Sequence, residues 1–197
     1  MRYEKGHKET TRRRIVETAA ARFRKDGIEG VGLADLMAEA GLTHGGFYSH
    51  FSSKEDLVKA ALEEIAQQSR NTFERRIEEG GLENWIRHYL RSEHRDHPEK
   101  GCVMATLGTE LPRHPETSRA CLTQRMQELI PQIETHLSYI SDASTRRKTA
   151  AGLFATLVGA LQMARTATDP ALSDEILEAG IATALSLAGI KPASSNT

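Results

Sequence analysis

The chain has 197 residues and a formal net charge of −1 at pH 7, a length that fits one domain or a small domain joined to a medium one. The charge is uneven: residues 1–25 carry nine Lys or Arg against three Glu, and the remaining residues carry 17 Lys or Arg against 24 Asp or Glu. No apolar run reaches the roughly 18 residues of a membrane span, no secretion signal begins the chain, and two cysteines make no disulfide framework, so we expect a cytoplasmic protein.

Two short helices are predicted at the N-terminus. Thr11 can cap the first, and Gly27 supplies the left-handed residue that ends it. The second covers residues 33–40, after which Gly41 turns the chain. The positive charge of the first helix favours a polyanionic partner, although a solvated basic tail would give the same composition. Strand-like alternation of β-branched residues is missing throughout, so the chain is predicted to be all-α.

The next stretch, LTHGGFYSHF (residues 42–51), contains two adjacent glycines, which cost roughly 1 kcal/mol each against alanine in a helix. Thr43 is nevertheless a good N-cap. Phe47 and Phe51 lie four residues apart, on one helical face, and so anchor the stretch in the core. The pattern predicts a short helix whose paired glycines let its backbone approach a partner closely.

Two helices joined by a tight glycine turn form a helix-turn-helix, whose second helix enters the major groove of DNA. Ser53 and Asp56 match the capping pattern of the helix that follows. His44 and His50 could also be ordinary solvent-facing residues, and their six-residue separation makes them a poor metal pair. The predicted DNA contacts are Thr43, His44, Gly45, Gly46, Tyr48, Ser49, His50 and Lys54.

This region resembles the DNA-binding domain of the TetR family of bacterial transcriptional regulators. The similarity covers about residues 11–65 and is clearest in ADLMAEAGLTHGGFYSHFSSKEDLVKAAL. One departure is Gly32-Leu33, where members often have a Thr or Ser cap that contacts phosphate. The family pattern is an alanine-glycine turn, a small polar cap and then G-x-x-Y-x-x-F-x-x-K-x-x-L, represented here by Ala40, Gly41, Thr43, Gly45, Tyr48, Phe51, Lys54 and Leu57.

The remaining two thirds are predicted to form further helices. A long helix begins near residue 54 and ends at Gly80-Gly81, and a linking helix of this kind can transmit movement to the DNA-binding head. We expect a DNA-binding domain over residues 1–55, an effector-binding and dimerisation domain over 56–190, and a disordered tail over 191–197. The other predicted helices cover residues 83–96, 102–111, 116–139 and 145–165, and a last one begins at 169–173 and ends near 188–189.

The last two helices are the least polar. The resemblance implies that this pair forms a four-helix bundle with its copy in a second subunit, and palindromic operators also favour a twofold dimer. A core within one chain would give much of the same pattern. The predicted dimer-interface residues are Leu153, Phe154, Leu157, Leu161, Ile181 and Leu185.

The resemblance also implies a small organic effector bound between the helices of the second domain. Methionine and aromatic residues at helical spacing can line such a pocket, but they can equally be simple core. The candidate pocket residues are Phe73, Trp85, Tyr89, Cys102, Met104, Leu107, Met126, Ile130 and Met163.

Cys102 is predicted to begin a helix beside Lys100, where the helix dipole and nearby positive charge favour the thiolate. The stretch around it resembles a TetR branch that senses electrophiles through a cysteine at this place. A buried, inert Cys102 is the alternative, and Cys121 is expected to serve in packing. His88, His94 and His97 with Glu93 match no strong metal-binding pattern, so no metal site is predicted.

An enzyme is the rival class of function. The chain contains no G-x-S-x-G, no H-E-x-x-H and no phosphate-binding loop, so we expect neither catalysis nor a cofactor. A helical protein that traps electrophiles at Cys102 without binding DNA is a third possibility. The sequence favours a homodimeric transcriptional regulator, most often a repressor in this family, that an effector releases from double-stranded operator DNA.

Overall fold

A computed structural model describes residues 4–191, with the backbone alone for residues 4 and 5. Every regular element in that range is an α-helix or a short 3₁₀ helix, which confirms the predicted all-α class. Of the tail predicted to be disordered, only Lys191 is among the described residues. The α-helices are α1 (Glu4–Asp26), α2 (Leu33–Glu39), α3 (Lys54–Tyr89), α4 (Ser92–Asp96), α5 (Val103–Leu107), α6 (Glu116–Glu134), α7 (Ala143–Thr166) and α8 (Pro170–Leu187), and the 3₁₀ helices are His44–Ser49, Pro98–Lys100 and Leu111–Arg113.

The described residues form two compact units. The first contains those within Met1–Gln68 and Pro98–Thr123, and the second those within Ser69–His97 and Gln124–Thr197. The first unit is therefore assembled from two separate parts of the chain. The predicted functional boundary at residue 55 stays a prediction.

The first helix begins earlier than predicted. Helix α1 starts at Glu4, and Thr11 is a buried residue inside it, so the predicted N-cap at Thr11 is wrong. Residues 4–10 include Glu and Lys, which are good helix formers and extend the helix toward the N-terminus. The predicted end is confirmed: Gly27 has φ +80° and donates its N–H to the Phe23 carbonyl at 3.0 Å.

The core of the first unit combines α1, α2, the 44–49 helix and α3 with the later segment 98–123. Val103, Leu107, Leu111 and Leu122 of that segment are all at least nine-tenths buried in this core. The segment is also fixed through Glu110, whose carboxylate accepts hydrogen bonds from the backbone N–H groups of Ile28 at 3.1 Å and Glu29 at 2.8 Å. These bonds satisfy donors in the turn that follows α1.

In the second unit, the predicted break at Gly80-Gly81 is confirmed. Both residues leave helical geometry within α3, and Gly81 has φ +69°. The helix predicted over 83–96 is interrupted, since α3 ends at Tyr89 and α4 begins at Ser92. The helix predicted over 116–139 ends five residues early, at Glu134, with Pro131, which has no N–H to donate, in its last turn.

Helices α7 and α8 form the most closely packed pair of the second unit. Asp142 caps α7 by accepting from the Thr145 N–H at 2.7 Å, and Asp169 caps α8 by accepting from the Ala171 N–H at 3.0 Å. A Cβ on the buried Gly180 would lie 2.6 Å from the Ala160 side chain. The absence of a side chain at Gly180 is what allows these two helices to approach so closely.

Candidate nucleic-acid interface

The element between α2 and α3 is a 3₁₀ helix, His44–Ser49, which confirms the predicted short helix and specifies its type. Gly41, with φ +70°, turns the chain toward it, and Thr43 occupies the N-cap position without a side-chain hydrogen bond. Phe47 and Phe51 are almost completely buried and stack with ring centroids 5.6 Å apart. These two rings hold the short helix on the core and leave its other face to solvent.

The outward face carries most of the predicted DNA-contacting residues. Thr43, His44, Gly45 and Ser49 are exposed, and Tyr48 is 65% exposed, an unusual value for an aromatic side chain. His44 and Tyr48 meet edge to face, with ring centroids 6.3 Å apart. The face therefore presents an imidazole, a phenol and a hydroxyl, which can all form hydrogen bonds to bases or phosphates.

The two glycines of this face are not required by packing within the chain. A Cβ at Gly45 would meet no atom within 4 Å, and one at Gly46 would make only ordinary contacts with Thr43 and Met37 at 3.8 and 3.9 Å. Neither glycine has a positive φ. Since nothing among the described residues demands a glycine here, close approach of an external partner is the best physical reason for the pair.

His50 is only partly available to a partner. Burial lowers its pKa, and the positive charges of Lys8 and Arg12 lower it further, which favours the neutral ring. Its Nδ1 atom is buried and neither accepts nor donates a hydrogen bond within the described part of the chain. His50 thus lies at the edge of the outward face rather than at its centre.

Basic residues from two helices border this face. Lys8 and Arg12 lie on α1, where the Arg12 guanidinium is 4.8 Å from the centre of the Phe51 ring. Lys54 begins α3, whose predicted capping is confirmed by a hydrogen bond from the Asp56 N–H to Ser53 Oγ at 3.1 Å. The sequence indicated the excess of positive charge but did not single out Lys8 and Arg12. Identifying these two residues would have required knowing the length of α1 and using their four-residue spacing along it.

Cys102 also lies in the first unit, at the N-cap of the five-residue helix α5, and is half-buried. Next to it, the buried Arg24 of α1 donates to the carbonyls of Ala20 at 3.0 Å and Gly101 at 3.2 Å. Burial lowers the pKa of Arg24, while electrostatic interactions with Cys102, Glu99 and Glu64 act in the opposite direction. Arg24 was not among the predicted site residues, because nothing in the sequence distinguishes it from the other arginines of the basic segment.

The predicted pocket residues are divided between the two units. Phe73, Trp85 and Tyr89 form a buried aromatic cluster in the second unit, with centroid distances of 5.0 Å between Phe73 and Trp85 and 5.8 Å between Trp85 and Tyr89. Phe154 extends the cluster, 6.4 Å from Tyr89, and Met126 and Ile130 of the same unit are half-buried. Met163 is 61% exposed. Cys102, Met104 and Leu107 belong to the first unit, where Leu107 is core.

The predicted dimer-interface residues face inward. Leu153, Leu157 and Leu161 are fully buried within the single chain, Phe154 and Leu185 nearly so, and Ile181 is half-buried. Side chains that the chain itself buries offer little surface to a second subunit, so the three leucines serve in core packing and their predicted place in a dimer interface stays a prediction. The outer surface of α7 lies instead along the exposed Gly152, Ala155 and Met163 and the half-buried Gly159, which are spaced three or four residues apart.

Comparisons with known proteins agree with this architecture. The family described as bacterial regulatory proteins, tetR family, matches residues 4–61. The HTH-type transcriptional regulator TtgR and the probable HTH-type transcriptional regulator ArpR, both from Pseudomonas putida, are each 38% identical over 65 residues. Each of these matches covers 33% of this chain and 31% of the relative, so it extends over about a third of those regulators.

Solved structures extend the similarity to nearly the whole chain. A TetR transcriptional regulator from Chloroflexus aurantiacus matches 93% of this chain and 95% of its own, with 25% identity and a TM-score of 0.77. The reduced form of NemR from Escherichia coli matches 89% of this chain and 95% of its own, with 22% identity and a TM-score of 0.70, which supports the fold. Among the described helices, none is long and apolar enough to cross a membrane.

Proposed function

Because the chain belongs to the TetR family of bacterial regulatory proteins, we propose that it is a homodimeric DNA-binding repressor that an effector releases from its operator. The observation that carries this proposal is the 44–49 helix with its exposed Tyr48 and its two glycines that the fold does not require. In a helix-turn-helix protein this element reaches the base edges of the major groove. The direct test is whether purified protein retards a DNA fragment from upstream of its own coding sequence.

Lys54 is proposed to bind a phosphate rather than a base. It is the first residue of α3, a capped helix start where free backbone N–H groups also favour anions. Replacing Lys54 with glutamine is expected to weaken binding to operator and to unrelated DNA alike. Because one phosphate contact is lost, the slope of log K against log salt should fall by about one unit. Fluorescence anisotropy at several salt concentrations measures both effects.

Lys59 provides a matched control, since it is an exposed lysine five residues further along the same helix. Lys59→Gln removes the same charge and should change the slope less. A Lys54→Gln protein that keeps the native slope, or that loses affinity for the operator alone, would contradict the phosphate assignment.

The dimer is proposed to form along the exposed face of α7. A Cβ at Gly152 or Gly159 would meet no atom within 4 Å, so the chain itself leaves this surface open. Small residues at three- and four-residue spacing allow a second helix to approach closely, and Met163 adds an exposed apolar side chain. A twofold pair would place two recognition elements on two half-sites of one operator.

The proposed effector sites are the aromatic cluster and Cys102. The cluster offers flat apolar surface from Phe73, Trp85 and Tyr89 for an organic molecule. Cys102 offers a half-buried thiol that interacts electrostatically with the buried Arg24. An adduct at Cys102 would also crowd the hydrogen bond between Arg24 and the Gly101 carbonyl, and so would act on α1 of the DNA-binding unit.

The Cys102 hypothesis predicts that a quinone or a maleimide releases operator DNA from the native protein but not from Cys102→Ser. A coupling of about 1–3 kcal/mol would lower operator affinity by about 5- to 150-fold. Anisotropy measured before and after treatment gives the change, and mass spectrometry identifies the modified residue. Cys121→Ser is the control, since Cys121 is the other half-buried cysteine of the same unit. Equal release of operator DNA from the native protein and from Cys102→Ser would contradict the Cys102 hypothesis and leave the aromatic cluster as the proposed effector site.

A further inference from the structure

A cluster of three carboxylates and one imidazole lies in the first unit. His114, just after the 3₁₀ helix Leu111–Arg113, is its centre. Glu29 comes from the turn between α1 and α2, Glu110 precedes the 3₁₀ helix, and Glu55 lies in the first turn of α3. Neither the predicted DNA contacts nor the predicted effector sites include any of these four residues.

The His114 side chain is only 9% exposed, yet no hydrogen bond to either of its ring nitrogens is found among the described residues. The nearest oxygens belong to Glu29 and Glu110, 3.8 and 3.9 Å from Nε2, and to Glu55, 3.6 Å from Nδ1. Glu29 is 81% exposed, so its carboxylate can move without disturbing the core.

The spacing suits an ion between the three side chains. One oxygen of Glu29, one of Glu110 and the Nε2 of His114 lie within 4.8 Å of one another. Small side-chain movements would bring each to the ~2.0–2.2 Å bond lengths typical of zinc with nitrogen and oxygen ligands. A divalent ion would also offset the negative charge of the three neighbouring carboxylates.

We propose that Glu29, Glu110 and His114 bind a divalent transition-metal ion, with Zn²⁺ as the representative. Glu55 supports the site from behind: its carboxylate lies 3.6 Å from Nδ1, and a small movement would let it accept the Nδ1 proton and leave the Nε2 lone pair for the metal. Ser118, which is fully buried, donates its hydroxyl to the other oxygen of Glu55 and holds that carboxylate in place. Glu110 is positioned by the backbone N–H groups of Ile28 and Glu29.

The ion would join parts of the chain that are far apart in sequence. Glu29 and Glu110 are separated by 81 positions, whereas Glu110 and His114 are four apart. The metal would therefore fasten the later segment of the first unit to the turn after α1. Metal binding requires the neutral imidazole, so any proton on His114 is released as the ion binds.

The test is titration of the chelator-treated full-length protein with Zn²⁺ at pH 7.5, followed by calorimetry. We expect one tight site per chain and a rise in the thermal unfolding midpoint with added zinc. His114→Gln should abolish the site, and Glu29→Gln should weaken binding at least tenfold. Glu29→Gln is the decisive variant, since an 81% exposed side chain can be replaced without loss of the fold. Co²⁺ provides a second readout, through visible absorption that should change in both variants.

His136→Gln is the matched control, because His136 is an exposed histidine in the second unit. It should leave zinc affinity unchanged. Equal affinity in native protein and Glu29→Gln, or no stoichiometric binding at all, would overturn the proposal. A His114 ring that nuclear magnetic resonance shows to remain protonated at pH 7.5 with zinc present would overturn it too. None of these readouts depends on DNA binding.

Discussion

Replacing Gly45 with leucine is expected to abolish operator binding and to leave the folded protein intact. The expected loss is at least about 100-fold in affinity, or about 2.8 kcal/mol, because a side chain would separate the backbone of the 44–49 helix from the DNA. The fold should tolerate the change, since a Cβ at Gly45 meets no atom within 4 Å and the position is exposed. Anisotropy with operator DNA measures the first effect, and thermal unfolding measures the second.

Gly45→Ala tests whether the loss of operator affinity depends on side-chain size, since a single methyl group should cause a smaller loss than leucine. The neighbouring Gly46 is a useful comparison: it is half-buried, and its Cβ would contact Thr43 and Met37. If Gly45→Leu bound the operator with native affinity, close approach of the backbone would not explain the paired glycines.

The second large effect separates the inner face of α7 from its outer face. Leu157→Glu is expected to unfold the second unit, because this fully buried leucine would be replaced by an unpaired charge. The cost should exceed the ~2–5 kcal/mol of a buried leucine-to-alanine change. Ala155→Glu, only two positions away, should leave the unit folded and prevent the proposed dimer, because Ala155 is exposed.

Light scattering and circular dichroism distinguish the two variants. Ala155→Glu should give a folded monomer whose operator affinity is greatly reduced, since one head reads only half a site. Ser138→Glu adds the same charge at an exposed position of the second unit outside α7 and α8, and should remain dimeric. A native protein that is itself monomeric at micromolar concentration would argue against the dimer, and a dimeric Ala155→Glu would argue against this face.

Much of the helical architecture could be predicted because its signals are local. Gly27, Gly41 and Gly81 all have positive φ, and each lies where the sequence predicted a turn or a break. The capping by Ser53 was likewise readable from a four-residue pattern. The inward placement of Phe47 and Phe51 followed from their spacing alone. In these cases the residue type and its immediate neighbours determine the outcome.

Other features depend on which distant parts of the chain contact one another. The sequence could not show these contacts. Periodicity shows that Leu157 belongs to an apolar helix face that must be buried. It does not show whether the same chain or a second one covers that face. Arg24 is recognisable only once Gly101 is known to lie beside it. Met163 was expected in a pocket, since a methionine in an apolar helix is usually covered, yet it is 61% exposed.

The composite first unit has a consequence for how the protein is made. The residues that match the tetR family, 4–61, lack four apolar side chains of their own core, which come from Val103, Leu107, Leu111 and Leu122. During synthesis the chain emerges from the ribosome N-terminus first, so the DNA-binding head stays incomplete until residue 122 has left the exit tunnel. Until then α1 and α3 expose apolar surface of the kind that chaperones bind. A fragment ending after α3 would remain in that unfinished state.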